Sequence, residues 1–224
     1  MEHPIEILER YWGHSSFRPN QLEIIETVLE NKDCLALLPT SGGKSVCFQV
    51  PALIKKGICI VISPLIALMQ DQVESLKEKG IKAIALTNID SRSELDRILD
   101  NCVFGNYKFL YISPERLENN LVQERIKAMA VNLIAVDEAH CISQWGHNFR
   151  PAYRKIKNLR SLCPSAAVIA LTATATKAVL KDIFEQLYFV QPKIFQSSFY
   201  RENLSYNCIH TEDTEYKTIK LLNE

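Results

Sequence analysis

The sequence predicts an α/β domain, a mostly parallel sheet with helices on both faces. Three observations carry that expectation. Short, nearly all-apolar runs alternate with helix-patterned segments along the chain. The runs do not alternate polar with apolar residues, so they suit strands buried on both faces. Strand, helix, strand in that rhythm requires crossover connections, and these cover a parallel sheet on both sides.

The elements follow in order. Gln21 opens an amphipathic helix, and Cys34 to Leu38 is the first strand. It delivers the chain to Pro39-Thr40-Ser41-Gly42-Gly43-Lys44-Ser45, ahead of the helix-like Val46 to Ile54. Ser41, Gly42 and Gly43 lack bulk, so consecutive N–H groups can wrap around phosphate oxygens. The following helix aims its positive end at the same anion. Lys44 adds a full charge for the β and γ phosphates, and the Ser45 hydroxyl is placed to ligate Mg²⁺. The strict phosphate-loop pattern has glycine where this chain has Leu38.

Gly57 to Ile62 is the next strand. Ser63-Pro64 then suits an N-cap followed by proline at the first helical position, with Ile66, Met69, Val73 and Leu76 on one buried face. Lys82 to Leu86 is a strand, and Ser91 with Glu94 forms a capping box for a helix carrying Leu95, Ile98 and Leu99. Lys108 to Ile112 is a strand that again ends in Ser113-Pro114. Val131 to Val136 is an apolar strand ending in Asp137-Glu138-Ala139-His140, an acidic pair where open α/β sheets bind ligands. Asp137 would hold the Mg²⁺ shell and Glu138 would orient the attacking water. Alone, such a pair is equally a helix-capping acid; with the loop it completes a metal-phosphate site. That pairing requires the lysine and the acidic couple to meet at neighbouring strand ends. Ala167 to Leu171 is a strand, Ala178 to Tyr188 an amphipathic helix, and Ile194 to Phe199 a last strand.

At 224 residues and 47% hydrophobic the chain can build one substantial core, or one domain with a short extension. With 26 basic and 26 acidic residues, any nucleic-acid contact must come from a local patch. Seven cysteines occur with no Cys-x-x-Cys, and Cys34 and Cys59 lie inside apolar strands as small buried hydrophobes. The odd count and the lack of a signal peptide point to a cytoplasmic protein, and no apolar stretch approaches membrane-spanning length.

The motifs together resemble a known family. Phe17-Arg18-Pro19-Asn20-Gln21, the loop 39–45, Ser63-Pro64-Leu65-Ile66-Ala67-Leu68-Met69-Gln70-Asp71-Gln72, Asp137-Glu138-Ala139-His140 and Leu171-Thr172-Ala173-Thr174-Ala175-Thr176 occur in the order seen in superfamily 2 helicases. Cys141-Ile142-Ser143-Gln144-Trp145-Gly146-His147-Asn148-Phe149-Arg150-Pro151 resembles the aromatic-rich loop of RecQ-type DNA helicases. The similarity runs from about Leu8 to Tyr206.

The resemblance implies a RecA-like P-loop NTPase domain over residues 1–206, with 207–224 a linker or the start of a second RecA-like domain. The activity it implies is ATP-dependent, 3′ to 5′ unwinding of DNA in repair and recombination, with ATP and Mg²⁺ as cofactors. Partners would be single-stranded and partly duplex DNA and the second RecA-like domain, which in the family brings an arginine finger; without it, turnover is expected to be slow.

Residue by residue, Gln21 with Arg18 resembles the pair at the adenine edge, and His14 stands where the family usually has tyrosine against the base. Thr40, Ser41, Gly42, Gly43, Lys44 and Ser45 would hold the phosphates. His140 resembles the histidine linking the ATP site to Thr172 and Thr174. Trp145 and Phe149 offer faces on which bases of single-stranded DNA stack. Gln144 and His147 share that loop, and Arg150 can pair with a phosphate or with the ATP-side carboxylates. Asn148 replaces a common aspartate and removes one charge from the relay. Ser63 and the helix after it would offer N–H groups to a DNA phosphate. Rival readings are an RNA helicase domain, a noncatalytic nucleotide-gated binding module, and a P-loop ATPase unrelated to nucleic acid. The last would leave Trp145 and Phe149 buried.

Overall fold

The structure is a computed structural model that describes every residue except 1, 40, 41, 90, 146, 147, 190, 198–203, 206, 207, 209, 212, 223 and 224. Its strands are β1 (Cys34–Leu37), β2 (Ile58–Ile62), β3 (Ala83–Ala85), β4 (Phe109–Ile112), β5 (Val131–Val136), β6 (Ala167–Thr172) and β7 (Lys193–Gln196). They form one seven-stranded sheet in the order β3-β4-β2-β5-β6-β1-β7, and every pairing is parallel. All carboxyl ends therefore lie along one edge, the edge that carries the site. The last strand, expected at Ile194 to Phe199, runs Lys193–Gln196; Ser198 and Phe199 lie outside the described residues.

The helices are α1 (Pro4–Trp12), α2 (Gln21–Leu29), α3 (Lys44–Ile54), α4 (Ile66–Glu78), α5 (Arg92–Phe104), α6 (Asn120–Ala128), α7 (Lys157–Leu162), α8 (Lys177–Gln186) and α9 (Thr214–Leu222). Successive strand residues face opposite sides. On one face Leu35, Ile60, Ile112, Ile134 and Ala170 pack against α5 to α8, through residues such as Leu99, Ile126, Leu159 and Ile183. On the other, Ala36, Val61, Tyr111, Ala135 and Ile169 pack against α2, α3 and α4, through Ile24, Phe48 and Met69. α1 adds an outer layer, with Ile7 against Ile25 and Val50. Strands apolar on both faces are thus explained by helices on both faces.

Local chemistry sets the helix ends. His3 accepts the Ile5 N–H and Glu6 reaches back to the His3 N–H, while Gly13 closes α1 in the left-handed region. Ser91 accepts the Glu94 N–H at 3.1 Å, as its spacing predicts. Ser63-Pro64 is different. α4 begins at Ile66 with Leu65 as N-cap, because the Ser63 N–H continues the ladder to the Ile112 carbonyl at 3.2 Å. Six cysteines are buried and Cys208 is exposed, all of them free thiols. Burial pushes the Cys34 thiol up to about 12, which keeps it protonated and inert.

Candidate nucleotide site and nucleic-acid edge

α3 has no side-chain cap. Its N-cap Gly43 sits at φ 72, and a Cβ there would lie 2.3 Å from the Gln21 Nε2. A Cβ on Gly42 would come within 2.8 Å of the Pro39 carbonyl oxygen. Only glycine fits this turn, and the turn leaves the first N–H groups of α3 facing a cleft of about 740 Å³. Thr40 and Ser41 lie outside the described residues.

The cleft brings together residues far apart in sequence. His14, Arg18 and Gln21 line one part; Gly43, Lys44 and Ser45 line another; Asp137 and Glu138 line a third. The loop and the acidic pair do not, however, sit on neighbouring strands. β6 lies between β1 and β5, and it ends in Thr172, whose carbonyl accepts the Leu38 N–H at 3.1 Å. The cleft spans three strand ends.

Gln21 is buried, and its carboxamide is engaged by the chain itself. Nε2 donates to the Gly43 carbonyl at 3.1 Å, and Oε1 accepts the Arg18 N–H at 2.9 Å. To read a base edge it would have to exchange these bonds.

The carboxylates differ in environment. Asp137 is 6% exposed; burial, then the neighbouring Glu138 charge, push its carboxyl up to about 6, with Lys44 and His140 opposing. Glu138 moves the other way, lowered chiefly by its hydrogen bond to His140, with Lys44 adding to that. Glu138 is held at φ 45 and ψ 47, a left-handed conformation unusual for a side chain of this size. The Tyr153 hydroxyl donates to the Asp137 carbonyl at 3.0 Å and fixes the turn.

His140 Nδ1 lies 3.3 Å from Glu138 Oε2 and 3.0 Å from Thr172 Oγ1. Thr172 Oγ1 donates to the Thr174 carbonyl at 3.0 Å. Contacts with the Cys141 sulfur and the Glu138 carboxylate raise the His140 imidazole to about 9. All three residues assigned to coupling are therefore one connected group.

Downstream, Trp145 is 76% exposed, its N–H held by Ser143 Oγ at 3.1 Å. Ser143 donates in turn to Asp182 on α8. Gln144 and Asn148 are exposed and Phe149 is half-buried, with the Arg154 guanidinium 5.2 Å from its ring centre. His147 lies outside the described residues. Arg150 meets neither a carboxylate nor open solvent alone: Nη1 donates to the Pro64 carbonyl at 2.8 Å. Ser63 is 1% exposed and its Oγ has no hydrogen-bond partner among the described residues. With its N–H on Ile112, the phosphate contact expected from Ser63 is closed in this conformation; Leu65, Ile66 and Ala67 are exposed at that edge.

Sequence reasoning missed Gln72, which lines the cleft one turn after Leu68. The signal was available as a polar residue at i+4 from a cleft residue on a helix following a strand. It also missed the Arg150–Pro64 bond, which joins residues whose proximity no local pattern encodes.

A profile for DEAD/DEAH box helicases matches residues 18–183. The chain belongs to the DEAD/DEAH box helicase family. Within that family, the chain is 41% identical to the probable ATP-dependent DNA helicase RecS of Bacillus subtilis, over 97% of this chain and 44% of the relative. It is 44% identical to the ATP-dependent DNA helicase RecQ of the same organism, over 93% of this chain and 36% of the relative. The chain thus spans less than half the length of these relatives. Among solved structures, the helicase domain of Pyrococcus furiosus Hef aligns with a TM-score of 0.58 at 25% identity, covering 80% of this chain and 37% of that one. The DUF1998 helicase MrfA bound to DNA aligns with a TM-score of 0.68 at 18% identity, covering 88% and 29%; it shares the fold. No helix among the described residues of this DEAD/DEAH box chain is long and apolar enough to cross a membrane.

Proposed function

We propose that this chain is the ATP-binding portion of a RecQ-type, 3′ to 5′ DNA helicase acting in repair and recombination, its work done with a second RecA-like domain. The supporting observation is a single stretch of chain in two roles: Glu138 lines the cleft with Lys44, while Trp145, on the loop that follows, stands 76% exposed. An aromatic side chain held open beside a hydrolytic site suits stacking on unpaired bases.

In this reading Gly42, Gly43 and the residues Thr40, Ser41 and Lys44 hold the phosphates of ATP, His14, Arg18 and Gln21 face its base, and Glu138 aligns water. Asp137 fits a divalent cation, because a buried carboxyl raised by a second carboxylate is short of positive charge. Ser45 and Asp137 would hold Mg²⁺, which supplies neutralisation of phosphate charge, its remaining ligands being phosphate and water. His140, Thr172 and Thr174 carry the response to DNA at Gln144, Trp145, His147, Phe149, Arg150 and the Ser63 edge. An arginine finger from the second domain is worth about 10³ to 10⁵ in rate, so the 224-residue chain alone turns over slowly.

The test is ATP turnover by the full-length protein titrated with single-stranded DNA and with RNA of the same sequence. Strong stimulation by DNA is expected. Equal or greater stimulation by RNA would overturn the DNA assignment.

A further inference from the structure

We propose that Gln72 is a ligand of the nucleotide's terminal phosphate, oriented for that role by Tyr111. The inference rests on the cleft being an ATP site, and it starts from a hydrogen-bond chain inside the core. Gln49 on α3 donates from Nε2 to the Tyr111 hydroxyl at 3.2 Å. The Tyr111 hydroxyl lies 2.9 Å from Gln72 Oε1 and donates to it.

The direction of the chain matters. Tyr111 is fully buried, and burial raises its phenol far above the usual range, so the proton stays on oxygen. The hydroxyl receives one bond from Gln49 and has one proton to give, which goes to Gln72. A carboxamide pinned by its oxygen from the sheet side presents its NH₂ on the other edge. Gln72 lines the cleft with Leu68, so that edge faces the ligand space.

Sheet order says which end of a ligand would be met. Arg18 and Gln21 precede β1, Lys44 follows it, and Asp137 ends β5. α4 follows β2, which lies on the far side of β5 from β1. A nucleotide with its base at Arg18 and its phosphates at Lys44 therefore extends its last phosphate toward α4. A fixed NH₂ donor at that end suits an anionic oxygen that a triphosphate has and a diphosphate lacks.

The experiment measures binding of a non-hydrolysable ATP analogue and of ADP, each with Mg²⁺, to the 224-residue chain. Gln72→Glu keeps an acceptor for Tyr111 and nearly the same volume but replaces the donor by a charged oxygen; Gln72→Met keeps length without either group. Both variants are expected to lose about tenfold or more in affinity for the triphosphate while ADP affinity stays within about twofold, the scale of a lost hydrogen bond to a charged group. A merely structural Gln72 would weaken both ligands together or neither, and either result overturns the proposal. Lys44→Ala, measured alongside, reports on the site itself. If it leaves both affinities intact, the ATP assignment fails; if it removes binding while Gln72→Glu does not change the triphosphate-to-diphosphate ratio, only the Gln72 assignment fails.

Discussion

His140 Nδ1 lies 3.0 Å from Thr172 Oγ1, which ties the end of β5 to the end of β6. The proton of Thr172 Oγ1 goes to the Thr174 carbonyl, so Nδ1 is the donor and shares its hydrogen between Thr172 and Glu138. A change at Glu138 is thereby felt on the strand between the Gly42-Gly43 loop and the acidic pair. Thr172→Val keeps the buried volume and removes these bonds, together with the one Oγ1 accepts from the Thr174 N–H at 3.3 Å. The folded chain is expected to lose about 1–2 kcal/mol in a denaturant titration. Nucleotide affinity stays close to that of the parent, while stimulation of turnover by DNA in the full-length protein falls about tenfold, the size of a 1–2 kcal/mol coupling. Unchanged stimulation would sever β6 from the relay.

Gly43→Ala tests the loop. The native φ of 72 costs a residue with a Cβ about 1–2 kcal/mol, and the new methyl overlaps Gln21 Nε2. The Gln21 bonds to the loop must then break. The expected result is a lower melting temperature together with weaker ATP binding; a variant that melts and binds as the parent does would show that the turn tolerates side chains.

Much of this was legible in the sequence. β2, β4, β5 and β6 announce themselves because residues such as Ile60, Leu110, Ile134 and Ile169 are apolar on both faces, and the glycines before Lys44 leave room for backbone N–H groups to wrap an anion. The rest depends on contacts between distant segments. Strand order is set by crossovers, so the run ending at Leu38 could not reveal that β6 would stand between it and Asp137. Pro64 reads locally as a helix start, yet its carbonyl is taken by Arg150 from far along the chain, and the helix waits until Ile66. α1 is hidden because histidine is an uncommon N-cap. Residues 214–222, within the stretch read as a linker or the start of a second domain, form α9 with Asp213 accepting the Tyr216 N–H at 2.9 Å, while Tyr216, Ile219 and Leu221 stay exposed; exposed apolar residues leave little pattern to find.

Asp137 gives the fold a pH signature. Its folded value of about 6 stands above the ordinary 3.8. Between about pH 4 and pH 6 the folded chain keeps a proton that the unfolded chain has released, so this group's contribution to stability is lost as pH rises through that window. Two units correspond to about 3 kcal/mol as an upper bound. Asp137→Asn carries no titrating group, and its stability relative to the parent is expected to be greater at pH 7.5 than at pH 4.5, by up to about 2 kcal/mol. If Asp137 holds Mg²⁺ as proposed, binding requires the ionised form, and parent affinity for Mg²⁺-nucleotide declines below about pH 6. Denaturant titrations at the two pH values check the first part. An advantage of the variant that does not grow with pH would mean the carboxyl is not desolvated.

Trp145 is the sharpest probe of the edge beyond the cleft. At 76% exposed it contributes little to the core, and its backbone rather than its ring holds the loop, through the Ser143 Oγ bond that Asp182 anchors. Trp145→Ala should therefore leave thermal stability within about 0.5 kcal/mol of the parent. If the indole is a stacking platform, the same change costs about 1–3 kcal/mol in affinity for single-stranded DNA, a factor of roughly ten to a hundred. Phe149→Ala differs in kind, because its ring is half-buried beneath the Arg154 guanidinium and its loss perturbs packing as well as binding. Fluorescence anisotropy with a labelled oligonucleotide, on the full-length protein, reads the Trp145 effect directly. A Trp145→Ala protein that binds DNA with parental affinity would remove the stacking role and leave the exposed indole without a ligand.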